Sequence, residues 1–180
     1  MCIRDRYSKV LKNSDELNGM REAGKLAAEV LEMITDYVKP GISTGELDEI
    51  CFKYITDVQK AIPANVGYRG FEKTLCTSIN QVICHGIPDT NRILKSGDIM
   101  NIDVTVIKDG WHGDTSKMFL IGKAQSHNER LVRVTQECLY KGIEAARPGA
   151  RLGDIGNAIQ IHAEKNYYSV VEEYLSLIHI

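Results

Sequence analysis

Residues 98–121, DIMNIDVTVIKDGWHGDTSKMFLI, alternate apolar and polar side chains on both sides of the pair Asp109-Gly110. Strict alternation over such a length indicates a β-strand with one buried face. An Asp-Gly pair between two such runs is a strong signal for a two-residue type I′ turn, since both central residues need a positive φ. The stretch therefore predicts a β-hairpin that reverses at residues 109–110.

This turn fixes which residues face each other across the hairpin. Lys108 is expected to face Trp111, and Thr105 is expected to face Asp114. Because side chains alternate between faces, one face should carry the polar residues Asp103, Thr105, His112, Asp114 and Ser116. The other face should point into helices through Met100, Ile102, Val104 and Val106.

Two carboxylates on one face of the hairpin need an explanation. Asp103 and Asp114 become diagonal neighbours, with Cβ atoms roughly 6–8 Å apart. Ionised carboxylates in a half-buried patch repel each other and lose hydration, and Lys108 and Lys117 are not placed to compensate. One or two divalent cations would suit the pair. The alternative is an exposed polar sheet face, because this spacing is not specific by itself.

A second group of candidate residues precedes the hairpin. Residues 79–88, INQVICHGIP, end in a turn in which Gly86 and Pro88 would aim the imidazole of His85. The preceding loop, NVGYRGFEKTLC at 65–76, carries Tyr68, Phe71 and Cys76. These residues either line a small apolar pocket or cover the core, and the pattern does not choose between the two.

The rest of the chain is predicted to be mainly helical. Apolar residues at helical spacing predict a helix over 14–38, and Ser43-x-x-Glu46 is a capping box for a second helix. Ser126-x-x-Glu129 opens a third helix, with Leu131, Val134, Cys138, Ile143 and Ala146 inward. A fourth helix is expected over about 152–166. The fold class is therefore α+β.

The joints between the paired helices resemble each other. KPGISTGELDEI at 39–50 resembles RPGARLGDIGNAI at 147–159, with prolines 108 positions apart. Such joints are common, but the match favours a duplicated unit of two helices and a sheet. We then expect an incomplete catalytic domain over 13–174 whose second half-sheet is largely missing. Residues 1–12 and 175–180 look like a foreign extension and a foreign tail.

Composition excludes several classes of protein. The 180 residues are 43% hydrophobic and 26% charged, with a net charge of −2 and a pI of about 6.2. The sequence has no basic stripe of the kind that would indicate a nucleic-acid partner. It also has no apolar run that approaches the roughly 18 residues of a membrane span. The five cysteines are scattered without a C-x-x-C pair, which favours reduced thiols and a cytoplasmic location.

Four segments carry a close family resemblance: STGELDEI, CTSINQVICHGIPD, LKSGDIMNIDVTVIKDGWHGDTSKMFLIG and YSVVEEY. They resemble the bacterial type I methionine aminopeptidases of peptidase family M24, over residues 13–174. The resemblance implies the pita-bread fold, a curved antiparallel sheet backed by helices. It also implies metal-dependent removal of the N-terminal methionine from nascent chains at the ribosome, by a monomeric enzyme.

The resemblance assigns roles to individual residues. Asp103 would bind one of two divalent cations (Co, Mn, Fe, Zn or Ni) and Asp114 would bridge both. His85 would contact the substrate and stabilise the tetrahedral intermediate. The pocket for the methionine side chain would include Tyr68, Phe71 and Cys76. The family often has Cys and Tyr where this chain has Asn65 and Phe71, so the shape of the pocket is open.

The chain also departs from the family pattern. The family continues beyond the equivalent of Tyr174 to a His and two Glu ligands, and His179 does not match any of them. Two of five ligands are present, so we expect the chain alone to be inactive. The alternatives are another pita-bread peptidase, similar to Xaa-Pro dipeptidases, or a non-catalytic pita-bread binding protein.

Overall fold

The computed structural model describes residues 13–171, which form two compact units, 13–125 and 126–171. The predicted extension 1–12, the predicted tail 175–180 and His179 lie outside the described residues. Within 13–171, no helix combines the length and the apolar character that crossing a membrane would require.

The first unit contains two helices followed by a four-stranded sheet. In chain order its elements are α1 (Ser14–Ile34), α2 (Thr44–Lys53), a π-helical turn (Tyr54–Val58), β1 (Ile62–Pro63), a 3-10 turn (Tyr68–Gly70), β2 (Leu75–Ile79), β3 (Ile99–Lys108) and β4 (Trp111–Leu120). All pairings are antiparallel, and β3 pairs with each of the other three strands. Because β4 follows β3 along its whole length, β1 and β2 share the opposite edge of β3.

The predicted hairpin is confirmed in its turn and in its register. Lys108 pairs with Trp111, Thr105 with Asp114, and Asp103 with Ser116. Asp109 and Gly110 both have positive φ, 50° and 84°. The predicted inward face is fully buried at Met100, Ile102, Val104 and Val106, which pack in the main core with α1 and α2.

Helix α1 ends earlier than its pattern predicts. It stops at Ile34 rather than near Val38. The Thr35 hydroxyl donates a hydrogen bond to the carbonyl of Leu31 at 2.7 Å, a local bond that competes with continued helix. Residues 35–37 form a turn instead, so only the last four predicted residues differ.

Helix α2 begins with the predicted capping box. The Glu46 N–H donates to Ser43 Oγ at 3.1 Å, and the Ser43 N–H donates to Glu46 Oε2 at 2.9 Å. These bonds satisfy two backbone donors that the first turn leaves free. The backbone bond from Ser43 is the main reason that the pKa of Glu46 lies below its usual range.

Replacing Ser43 with alanine should lower the free energy of unfolding by about 1 kcal/mol, because an N–H at the start of α2 loses its acceptor. Urea unfolding of the two proteins measures the difference. The variant Glu46→Gln keeps the reciprocal bond and should lose less than half as much. Equal stability of the Ser43→Ala and wild-type proteins would contradict the prediction.

The second unit consists of the helix pair α3 (Ser126–Ala145) and α4 (Leu152–Lys165). Its small core contains Val134, Cys138 and Ala163. The prediction that Leu131, Ile143 and Ala146 point inward is wrong: Leu131 is 38% and Ile143 57% exposed, and Ala146 is exposed as well. Helix α4 covers only part of the apolar stripe of α3, so the remainder of that stripe faces outward in this unit.

Both helix pairs turn at the repeated Pro-Gly joint. Gly41 follows Pro40 with φ of 100°, and Gly149 follows Pro148 with φ of 87°. Glycine adopts this left-handed conformation at little cost, and the Pro before it cannot continue a helix. The two joints are therefore alike in conformation as well as in sequence.

Candidate active site

The hairpin brings Asp103 and Asp114 to the same face of the sheet. The pairings Asp103–Ser116 and Thr105–Asp114 place the two acids diagonally across β3 and β4. Asp103 is half-buried and Asp114 is exposed, so the patch is more open than its alternating pattern predicts. The two carboxyl groups are close enough for a side-chain hydrogen bond between them.

The hairpin lysines do not neutralise this pair. Lys108 Nζ donates to the carbonyls of Gln59 and Lys60 at 3.3 and 3.1 Å. Lys117 belongs to the opposite face, where its Nζ donates to Thr35 Oγ1 at 3.2 Å and lies over the ring of Phe119. The sequence-based expectation that neither lysine compensates the two acids is therefore confirmed.

The electrostatics of Asp103 follow from this arrangement. Burial is the main cause that raises its pKa to about 6, and the negative charge of Asp114 acts in the same direction. The imidazole of His85 opposes both effects. Two converging carboxyl groups are a donor set that suits a divalent cation. Within residues 13–171, they are not joined by a third His, Cys, Asp or Glu that would complete a metal-binding cluster.

Without metal, Asp103→Asn should stabilise the protein at pH 7.5 by on the order of 1 kcal/mol. A carboxyl whose pKa is raised on folding is most favourable to the fold when protonated, so its cost grows as the pH rises from about 4 to above 6. The gain should therefore shrink at pH 4.5. Urea unfolding in EDTA at both pH values measures it, with the turn variant Asp109→Asn as control. A gain that does not depend on pH would count against this explanation.

A constrained turn positions His85 beside this pair. His85 has a positive φ of 54°, which is uncommon for a non-glycine residue. On one side of it, Thr77 donates its N–H to the Gly86 carbonyl at 2.7 Å, and Gly86 donates to Ser78 Oγ at 3.2 Å. A Cβ on Gly86 would lie 2.1 Å from the Thr77 carbonyl oxygen. Only glycine therefore allows the turn to pack against β2.

A cavity of about 480 Å³ opens next to His85. It brings together all four residues named for substrate contact, and its lining consists of Asn65, Tyr68, Arg69, Gly70, Phe71, Cys76, His85 and Ile87. These loop residues therefore border a cavity and do not merely cover the core, and their contact with a substrate stays a prediction. In the register of the sheet, Cys76 pairs with Asp103, so the cavity and the two acids adjoin.

Cys76 contributes a wall and not a nucleophile. It is 8% exposed. Burial is the main cause that raises the pKa of its thiol to about 11, and the charge of Asp103 adds to the effect. A thiol with such a pKa stays protonated at neutral pH, so Cys76 offers the cavity a soft, weakly polar surface.

Sequence reasoning missed the residue that holds the backbone next to the cavity residue Cys76. Asp48 on α2 is 7% exposed, and its Oδ1 accepts the N–H groups of Thr74 and Leu75 at 2.8 and 2.9 Å. These bonds hold Thr74 and Leu75, the two residues directly before Cys76. The available signal was an acid between the inward residues Leu47 and Cys51, a position at which a buried polar side chain must find a partner.

The two histidines that were given no catalytic role do not line this cavity. His112 is exposed on the polar face of the hairpin. His162 belongs to the second unit, where its Nε2 lies 2.9 Å from Glu137 Oε2. Neither is among the residues that line the cavity.

Comparisons with known proteins agree with this geometry. Residues 18–179 match the sequence profile of metallopeptidase family M24. The chain is 60% identical over 164 residues to the methionine aminopeptidase of Salmonella typhimurium, which covers 91% of this chain and 62% of that protein. The crystal structure of methionine aminopeptidase from Rickettsia prowazekii superposes with a TM-score of 0.88 at 55% identity, over 91% of this chain and 65% of that one.

A more distant structure shares the fold alone. The Xaa-Pro dipeptidase from Bacillus anthracis superposes with a TM-score of 0.72 at 15% identity, over 86% of this chain and 42% of that one. The predicted α+β pita-bread fold is confirmed by these matches. The chain spans 62% of the length of the Salmonella relative. By its sequence profile and its structure, this chain belongs to metallopeptidase family M24.

Proposed function

We propose that this chain is part of a methionine aminopeptidase, which removes the N-terminal methionine of nascent proteins in the cytoplasm. The observation that carries the proposal is the pair Asp103 and Asp114 beside a pocket that contains His85. It is supported by 60% identity to a relative that carries this name. On this proposal the enzyme acts as a monomer on chains that emerge from the ribosome.

Asp103 and Asp114 are the residues that would hold the metal. Asp103 would bind one cation and Asp114 would bridge two, with Co, Mn, Fe, Zn and Ni as candidates. When bound, divalent cations supply Lewis acidity, which lowers the pKa of water and polarises a carbonyl. The absence of a lysine partner leaves both carboxylates available for this task, and the Asp103–Cys76 pairing places them beside the pocket.

The pocket residues would orient the substrate. The cavity of about 480 Å³, whose lining includes Tyr68 and Phe71, would accommodate an unbranched apolar side chain. His85, fixed by its turn, would donate a hydrogen bond to the carbonyl oxygen of the first residue as negative charge develops there. Such a donor typically lowers the activation barrier by a few kcal/mol.

The proposal is tested with the complete gene product that contains this chain. Supplied with Mn²⁺ or Co²⁺, it should release methionine from Met-Ala-Ser and leave the dipeptide Ala-Pro intact. Cleavage of Ala-Pro in preference to Met-Ala-Ser would assign it to the dipeptidase alternative. Unchanged biological function after Asp103→Asn would instead favour a non-catalytic binding protein.

The 180-residue chain by itself should bind metal weakly and turn over negligibly, because it supplies two of the ligands that the family uses. Calorimetric titration with Mn²⁺ measures the affinity, and release of methionine from Met-Ala-Ser measures the activity. Submicromolar affinity, or turnover at the level of an intact aminopeptidase, would refute this part of the proposal.

A further inference from the structure

Asn65 lies in the wall of the candidate substrate cavity at the point where the loop leaves β1. Its own carbonyl accepts the N–H of Tyr68 at 3.1 Å, and the preceding Ala64 N–H donates to the Thr105 carbonyl at 2.9 Å. These bonds tie the loop to β3. Asn65 is among the residues that line the cavity, and it is half-buried.

The orientation of the Asn65 amide is set by its neighbour. Nδ2 donates to the carbonyl of Thr74 at 3.0 Å, and a carbonyl can only accept, so the amide nitrogen must face Thr74. Thr74 is held from the other side, where its N–H donates to Asp48. The amide therefore rests on a fixed support and is not free to turn over.

This leaves hydrogen-bonding capacity at the wall of the cavity. A side-chain amide can make about four hydrogen bonds, and among residues 13–171 the bond to Thr74 is the one that the Asn65 amide makes. Its second N–H and its Oδ1 remain. Phe71 and Ile87 are apolar and Cys76 is a protonated thiol, whereas Arg69, Tyr68 and His85 bring further polar groups to the lining. The Asn65 amide differs from a long flexible side chain such as that of Arg69, because its bond to Thr74 holds it in one orientation.

We propose that Asn65 is a specificity-determining residue, whose amide favours an unbranched first side chain that carries a hydrogen-bond acceptor near its end. This inference rests on the proposed function. Methionine sulfoxide is the suitable probe, since its oxygen is a strong acceptor on a side chain that otherwise resembles methionine. Norleucine is its apolar counterpart.

The expected effect follows from the energy of one hydrogen bond. A bond between a neutral amide and an acceptor in a partly buried site contributes about 0.5–1.5 kcal/mol. The ratio of kcat/KM for Met(O)-Ala-Ser to that for norleucine-Ala-Ser should therefore fall about 3- to 10-fold when Asn65 becomes leucine. General damage to the pocket lowers both values together and leaves their ratio unchanged.

The experiment uses the complete gene product with Mn²⁺ and the variants Asn65→Leu and Asn65→Asp, both close to asparagine in size. Neither variant can donate from this position, so both should lower the ratio, and Asn65→Asp serves if Asn65→Leu does not fold. Asp48→Asn is the matched control. It weakens the support of Thr74 from outside the cavity and keeps the Asn65 amide, so it should leave the ratio within about twofold.

Two outcomes would overturn the inference. One is an unchanged ratio in both Asn65 variants while Met-Ala-Ser is still cleaved; the proposed function then stands and the role of Asn65 does not. The other is an equal fall in Asp48→Asn, which would make the effect one of general support. If the wild-type protein releases no methionine from Met-Ala-Ser, the proposed function is wrong, and the inference about Asn65 is wrong as well.

Discussion

Asp114→Asn in the complete gene product is expected to lower kcat/KM for methionine release by at least about a thousand-fold, or about 4 kcal/mol. Asparagine has almost the same shape as aspartate but carries no charge. On the proposed function, Asp114 would help to hold the divalent metal, so the loss of its charge should weaken metal binding. Release of methionine from Met-Ala-Ser at saturating Mn²⁺ measures the change, and calorimetry of the same variant should show weaker binding of Mn²⁺.

The control for this variant lies on the same hairpin. Asp109→Asn also removes one carboxylate, and asparagine tolerates the positive φ of 50° at this turn position. Its activity should stay within about twofold of wild type. If the wild-type protein releases methionine and the Asp114→Asn variant does so at a rate within threefold of it, Asp114 is not part of the metal site.

Gly113→Ala should lower the free energy of unfolding by about 3 kcal/mol or more. Gly113 is buried in β4 where α1 crosses the hairpin. A Cβ there would lie 2.0 Å from the carbonyl oxygen of Ala23 and 2.6 Å from the nitrogen of Gly24. These are backbone atoms of a helix, so α1 would have to move away from the sheet. Urea unfolding of the chain measures the loss.

The neighbouring Gly24 provides the matched control. It is exposed on α1, and a Cβ there meets no atom within 4 Å. Gly24→Ala should therefore stabilise the protein by about 0.5–1 kcal/mol, through the better helix propensity of alanine. If Gly113→Ala is as stable as wild type, the close approach of α1 to β4 does not restrict this position. A loss in Gly113→Ala should also reduce metal affinity, because Asp114 is the next residue.

The hairpin was predictable because local rules determine it. The Asp109-Gly110 turn sets the register, and alternation then decides which side chains share a face, so the common face of Asp103 and Asp114 follows by counting. The capping box of α2 is equally local, since its bonds join residues three apart. The roles of the acids and of His85 came from the family resemblance, and they stay predictions.

The pattern was less informative where burial depends on what packs against an element. Leu131 and Ile143 have the spacing of an inward face, yet α4 leaves them exposed in their unit. The tie from Asp48 to the start of β2 joins residues 26 and 27 positions apart, and no helical or strand period reports a contact of that range. For the same reason, the sequence left open whether Tyr68 and Phe71 line a pocket.

The sequence alone determined the four helices to within a few residues, the register of the hairpin and the family, because these depend on neighbours along the chain or on matched motifs. Only the tertiary structure decided that the loop at 65–71, Cys76 on β2 and the turn at His85 border one cavity. The segments around it are joined by hydrogen bonds in which Asn65 and Thr77 donate and Asp48 accepts. Contacts of this kind depend on how the elements pack, which the order of residues does not display.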